Sequence, residues 1–328
     1  MNKPDSNIYV YLYDADGSDA DIDLKDVDIK KLKDRQLLWV TILKRDEKLI
    51  TDVAAALSIE DVPLKSILKT EERPKIDTFD NFYRIFIVSV ETRKNRELKR
   101  VPIDLLVGEN FIISIHDGSV DYFTKFRKRE KGETNIGELN AESFLMSLLD
   151  LHLLSYFRAL EAIEEQVDHF DEQILKKDLN TADFLSDVVK LRLDVSNIRS
   201  WLTPHRDVFY ALARPDFLPE APAGARENFQ LLNQHFDKVI EAVEDGRRTV
   251  ISLFDLYDTK SAQKLNIVMR RLTFITVLVG MLGVIAGVLG MNFDLAFFKD
   301  PNGFWMAMAL MAVFSVGLTI AARVMRWL

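Results

Sequence analysis

Between Asn266 and Gly290, alternating steps of three and four pick out Asn266, Met269, Thr273, Thr276, Gly280, Gly283, Gly287 and Gly290 on one helical face. That face carries an amide, hydroxyls and bare backbone inside an otherwise apolar run. Two readings of it are open. Small residues let transmembrane helices approach closely, and Gly283 with Gly287 forms a GxxxG-type pair. Alternatively, several copies surround a narrow wet pathway lined by backbone and hydroxyls, with Asn266 and Met269 guarding its inner end.

A second group that could meet cations is acidic. Glu164, Glu165, Asp168, Asp171 and Glu172 cluster with His169, and helical spacing sets Glu165, Asp168 and Glu172 on one face. Such a face can attract hydrated cations or simply be solvated, and the same choice holds for Asp237, Glu241, Glu244 and Asp245. His116, His152, His205 and His235 show no metal-ligand spacing and are expected in packing or surface roles. There is no Walker loop, nucleotide fingerprint, zinc-spaced histidine pair or nucleophile elbow. The expectation is a passive device that is neither an enzyme nor a pump, with no prosthetic group. With no cysteine, disulfides and thiolate metal sites are excluded.

These residues need a membrane element to position them. Leu272 to Phe293 contains no charge, and at roughly 1.5 Å per residue it is long enough to cross a hydrocarbon core about 30 Å thick. A second uncharged run covers Gly303 to Ala322, and residues 294–302 link the two as a hairpin. Lys260, Lys264, Arg270 and Arg271 precede the first span and Arg323 and Arg326 follow the second, whereas the link holds only Lys299 as a cation. That bias predicts that both termini face the cytoplasm. The N-terminal MNKPDSN has no apolar run, so insertion is expected to depend on the C-terminal spans. A net charge of −8, with KFRKREK at 125–131 the only basic cluster, argues against nucleic acid and leaves the lipid bilayer as the expected surrounding.

Upstream of the spans, 328 residues leave room for a sizeable soluble part. Ile8 to Tyr13, Leu37 to Leu43, Tyr83 to Val90, Val101 to Leu106 and Phe111 to Ile115 read as strands rich in β-branched and aromatic residues. Helical patterns at Asp46 to Leu57 and Leu64 to Thr70 interleave with them and predict an α/β layer domain. From about Asn140 only helices are expected: Ala141 to Leu175, then Ala182 to Arg214, then a proline-rich break at PDFLPEAPAG. Leu232, Phe236, Val239, Val243, Gly246, Val250, Leu253 and Tyr257 form a seam, and no proline interrupts Ala223 to Asn292. The prediction is one helix of about 100 Å entering the membrane. The fold class is therefore an α+β membrane protein. It has a cytosolic α/β domain at 1–139, a helical stalk region at 140–271 and a pore-helix span at 272–293. An external loop at 294–302, a second span at 303–322 and a cytosolic tail at 323–328 complete it.

The stripe ends in Gly290-Met291-Asn292, followed by Phe293, Asp294, a short link and a terminal span. In this the chain resembles the CorA family of divalent-cation channels, whose signature is Gly-Met-Asn at the outer end of the first of two C-terminal spans. The resemblance extends through Asn266, Met269 and Leu272, and more loosely through Glu72-Arg73-Pro74-Lys75. It implies a homopentamer with the first span lining the axis and Mg²⁺, with Co²⁺ or Ni²⁺ as substitutes, as the transported or regulatory cation. Asn292 amides would then ring the outer mouth, where neutral oxygens bind a hydrated cation without trapping it. Gly290 would supply the close-packed backbone, Met291 would support the turn, and Asp294 would draw cations in. Met269 and Leu272 would form apolar rings at the cytoplasmic end. The chain departs from the family pattern at Met281, where a proline is common, and at Gly280, where a bulky gate residue is usual. The regulatory aspartate and its partner fall at Leu231 and near Arg93. Transport of Zn²⁺, as in the ZntB branch, and a non-conducting membrane-anchored sensor or scaffold are the alternatives.

Overall fold

The computed structural model describes residues 7–16, 19–32, 35–93, 97–118, 120–129, 140–176, 181–214, 216–217, 223–291 and 302–324. Seven strands form one sheet: β1 (Ile8–Asp14), β2 (Ala20–Asp21), β3 (Gln36–Ile42), β4 (Lys75–Thr78), β5 (Tyr83–Thr92), β6 (Leu98–Val107) and β7 (Phe111–Ile115). Their order is β2-β1-β3-β7-β6-β5-β4. All neighbours are antiparallel except β3 and β7, which run parallel with Val40 opposite Ile113.

The runs of Ile, Val, Phe and Leu in β5, β6 and β7 are not alternating because both sheet faces are covered. On one side, α1 (Glu47–Ala56) and α2 (Leu64–Lys69) bring Ile50, Val53, Leu57 and Ile67 onto Val40, Ile42, Leu106, Ile113 and Ile115. Asp46 caps α1 by accepting the amides of Lys48 and Leu49, which fixes where that helix starts. On the other side lie α3 (Asp121–Arg129) and α4 (Ala141–Lys176). There Trp39 packs edge-on against Phe123 and Phe144, with ring centroids 5.6 and 5.4 Å away. Its indole N–H donates to Ser114 Oγ at 3.1 Å, so the buried polar end of the ring is satisfied.

Beyond α4 come α5 (Thr181–Leu202), a 3₁₀ turn at Thr203–His205 and α6 (Arg206–Leu212). The single helix expected over Ala182 to Arg214 is thus divided. Pro204 lacks an amide hydrogen and stands at the start of the tight turn, where α5 gives way. The strand at Lys75–Thr78 was likewise not expected, because four residues carrying two charged side chains offer little periodicity.

The expected long helix is α7 (Ala223–Leu289), with 67 residues, and the last helix is α8 (Gly303–Val324). Two compact units divide inside α7, at Leu253 and Phe254. Within the first, the seam is filled by the chain's own helices: Leu232, Phe236, Val239, Val243, Val250 and Leu253 are buried. Phe236 stacks on Phe209 with centroids 4.9 Å apart, and Arg199 of α5 bonds Glu244 at 2.5 Å. Gly246 belongs to the same seam because a methyl group there would already touch Leu160 at 3.4 Å.

Polar groups tie the helices to β5. His205 Nε2 accepts the Val88 amide at 3.0 Å, while its Nδ1 bonds the Leu202 carbonyl at 3.1 Å, which requires a neutral ring. His152 Nδ1 meets Ser89 Oγ at 2.7 Å, and Ser89 meets the Tyr122 hydroxyl at 2.6 Å. Burial lowers His205 to about 4, as it does His116, and pushes His152 well below the usual imidazole value. The folded state therefore refuses protons that the unfolded chain takes up as pH drops below about 6.5. Their contribution is fully present above that value and is lost as pH falls toward about 4. We expect the unfolding midpoint of the full chain in detergent to be flat from pH 8 to 7 and to fall steeply between pH 6 and 5. An unchanged midpoint at pH 5 would contradict burial of these rings in the neutral form.

Candidate functional site

The second unit contains the end of α7 and all of α8, and both carry stretches apolar enough to cross a membrane, with mean hydropathy 2.5 and 2.0. Neither stretch is buried within the chain, so each must find lipid or another chain. Along α7 the half-buried positions are Phe274, Leu278, Leu282, Ile285 and Leu289. Along α8, Gly303 and Ala322 are buried and Ala307, Met311, Ser315 and Leu318 are half-buried. These two rows recur in steps of three and four, as two packed helices require.

The stripe lies on the other side. At about 100° per residue, Gly280, Gly283 and Gly287 point roughly opposite to Leu278, Leu282 and Ile285. Asn266, Met269, Thr273, Thr276, Gly280, Gly283, Gly287 and Gly290 are all exposed. A Cβ built on Gly280, Gly283 or Gly287 would meet nothing within 4 Å. The absence of side chains at these positions therefore answers no packing need inside the protomer. Gly290 differs, because its Cβ would stand 3.3 Å from the Ala286 carbonyl as the helix ends and Met291 turns back to Val288 at 3.2 Å.

The two threonines are oriented by their own helix. Thr273 Oγ1 donates to the Met269 carbonyl at 2.8 Å and Thr276 Oγ1 to the Leu272 carbonyl at 2.9 Å. With its proton spent on the backbone, each hydroxyl presents only oxygen lone pairs outward. Those are acceptors, suited to the hydrogens of water around a cation. Met269 and Leu272 are about half exposed on the same segment and offer no polar atom of comparable strength.

Asn292 and Asp294, and the link that follows, lie outside the described residues. Glu165, Asp168 and Glu172 are exposed on α4, and among the described residues no group of three or more acids or histidines converges as metal ligands would. Leu231 is exposed on α7, and Arg93 pairs with Glu97 at 3.8 Å, so neither occupies a metal-binding arrangement within the protomer.

What the sequence reading missed is a buried ion network. Asp104, in the middle of β6, takes the guanidinium groups of Arg84 (Nε at 2.7 Å) and Arg45. Arg84 also reaches Asp77 at 3.0 Å and Glu71 at 3.4 Å, and Lys75 bridges Glu71 and Asp77 at 3.1 Å each. Arg45 finishes on the carbonyls of Ile67 and Pro102. The Glu72-Arg73-Pro74-Lys75 segment is thereby pinned, with Arg100 holding the Glu72 carbonyl at 2.9 Å. A signal was present: Arg84 in YRIFIV and Asp104 in VPIDLLV interrupt stretches of β5 and β6 that are otherwise apolar.

A soluble α/β sheet unit followed by a hairpin of two apolar helices defines a membrane protein with a large extramembrane part. Residues 34–323 match the family described as CorA-like Mg²⁺ transporter protein, and the chain belongs to that family. Curated relatives include a cobalt/magnesium transport protein CorA of Thermotoga maritima, 26% identical over 88% of this chain and 83% of the relative. Another, from Methanocaldococcus jannaschii, is 23% identical over 91% and 92%. The complete structure of the CorA magnesium transporter from M. jannaschii superposes with a TM-score of 0.74 at 22% identity, over 98% of both chains. The ZntB cytoplasmic domain from Vibrio parahaemolyticus shares the fold of the soluble part, with a TM-score of 0.57 at 14% identity over 79% of this chain.

Proposed function

We propose that this chain forms a homopentamer in the cell's inner membrane that passes Mg²⁺, with Co²⁺ or Ni²⁺ as substitutes, through an axial pore. The observation that carries the reading is the stripe: a small, acceptor-rich face, fully exposed in the protomer and turned away from the second span. Two spans cannot enclose a pore, so the face becomes a pathway only when several copies meet. Asn266, Thr273, Thr276, Gly280, Gly283 and Gly287 line it, and Met269 with Leu272 makes an apolar constriction that closes by dewetting.

At the other end, Gly290 and Met291 turn the chain so that Asn292 amides ring the mouth, with Asp294 beside them. Mg²⁺ sheds water reluctantly, so amide oxygens that grip its hydration shell select it while letting it leave. No coupled energy source is required. The membrane potential supplies about 4.6 kcal/mol per 100 mV for a divalent cation. The juxtamembrane cations support a topology with both termini in the cytoplasm, by the positive-inside rule.

Replacing Asn292 with Ala is expected to lower Mg²⁺ flux by at least about a hundredfold, since a ring of ligands is lost at once. The oligomer should still assemble, as seen by size-exclusion light scattering. Wild-type flux from this variant would remove Asn292 from the mechanism. Gly280 and Met281 favour a second reading, in which a wider mid-membrane segment admits Zn²⁺, coupled to protons. Leu231, which carries no ligand atom, favours a third, a non-conducting sensor or scaffold regulated otherwise.

A further inference from the structure

Beside the proposed pathway, the hairpin has a groove of about 560 Å³ on its flank, lined by Val277, Gly280, Met281, Val284, Ile285 and Phe314. Its lining exposes almost no polar atom, so water is a poor occupant. By helical rotation Arg270 stands on the same flank, about 10 Å below Val277, and Arg271 is next to it.

The second helix brings another cation to that level. From Leu289 back to Arg271, and from Gly303 on to Arg323, the helices rise about 27 and 30 Å, so Arg323 reaches the same depth, but it stands about half a turn of rotation from Phe314 and faces away from the groove. Arg270, Arg271 and Arg323 are exposed, and among the described residues none has an acidic partner. The acids of this stretch, Asp255 and Asp258, fall by rotation on the stripe side instead. A cationic pair, Arg270 and Arg271, at headgroup depth under an apolar groove at acyl-chain depth is complementary to one kind of molecule.

We propose that the hairpin binds an anionic phospholipid, its headgroup phosphate held by Arg270 and Arg271 and one acyl chain lying in the groove. The site rests on the chain spanning a membrane, not on which ion it conducts, so loss of ion flux and loss of lipid binding are separate failures.

Native mass spectrometry of the full-length protein, released from micelles containing phosphatidylglycerol or phosphatidylcholine, tests it. Each juxtamembrane cation is worth about fivefold in affinity for an anionic surface, so the wild type should retain phosphatidylglycerol at least about tenfold over phosphatidylcholine. Arg270→Gln with Arg271→Gln should abolish the preference, whereas Arg323→Gln, at the same depth but turned away from the groove, and Arg247→Gln with Arg248→Gln, on the same helix far from the groove, should keep it. If the double variant does not purify as an oligomer, Arg270→Gln alone must lower the preference severalfold. Met281→Trp, which fills the groove without touching charge, should reduce retention of both lipids. Equal retention of the two lipids by the wild type would overturn the proposal, as would a preference that survives Arg270→Gln with Arg271→Gln. Undiminished lipid in Met281→Trp would show that something else, such as a neighbouring copy, covers the groove.

Discussion

Gly283→Leu is expected to leave the protomer intact and to reduce cation flux by at least about a hundredfold. The first half follows from geometry: a Cβ at Gly283 meets no atom within 4 Å, and leucine is a better helix former than glycine by roughly 0.8 kcal/mol. The second half follows from symmetry. In the proposed pentamer, one bulky side chain per copy on the face turned toward the axis fills a narrow path completely. Flux in proteoliposomes and oligomer mass by light scattering separate the outcomes. A lost oligomer with a folded protomer would make the stripe a packing seam. Unchanged flux from an unchanged oligomer would mean that the face looks into lipid.

The other large effect belongs to the soluble unit. Asp104→Asn should destabilise it by about 3–5 kcal/mol, because removing one partner of a buried ion pair leaves the other charge uncompensated. Here two guanidinium groups lose their shared carboxylate, and both are almost wholly buried. Arg84 keeps Asp77 and Glu71, but Arg45 keeps only carbonyls and the more distant Asp117. Chemical denaturation of the full chain, followed by circular dichroism, reads the change. A loss under 1 kcal/mol would show that the network is solvated in solution.

Much of this architecture could be read from residue order because the signals were local. Period-two and continuous apolar runs marked β1, β3, β5, β6 and β7, and the long proline-free seam marked α7. The stripe was legible for the same reason, since a helix converts spacing into a face. What stayed hidden depends on partners remote in sequence. Arg45 sits in the charged LKRDE stretch and looks like a solvated loop residue. Only the fold brings it under β6 and β7, 59 positions from Asp104. The histidines were expected in packing or surface roles, and three of the four are buried, but the bonds of His205 to Val88 and of His152 to Ser89 cross 117 and 63 positions. The division at Pro204 was misjudged because the apolar pattern continues through it into Val208, Phe209 and Leu212, which are buried on the same side of the chain.

The charged clusters show how the environment decides a role. Glu165, Asp168 and Glu172 have the spacing to share a cation, yet they stand exposed on α4. Asp104, set among apolar residues in the second half of β6, is buried and takes two arginines at once.

The most direct test of the central claim is ion flux into proteoliposomes containing the purified full-length protein, with separate Mg²⁺ and Zn²⁺ indicators and a clamped potential. The account predicts Mg²⁺ entry that grows with inside-negative potential and ignores a pH gradient. Zn²⁺ entry that requires a pH gradient, or no flux of either ion through a well-folded oligomer, would contradict it.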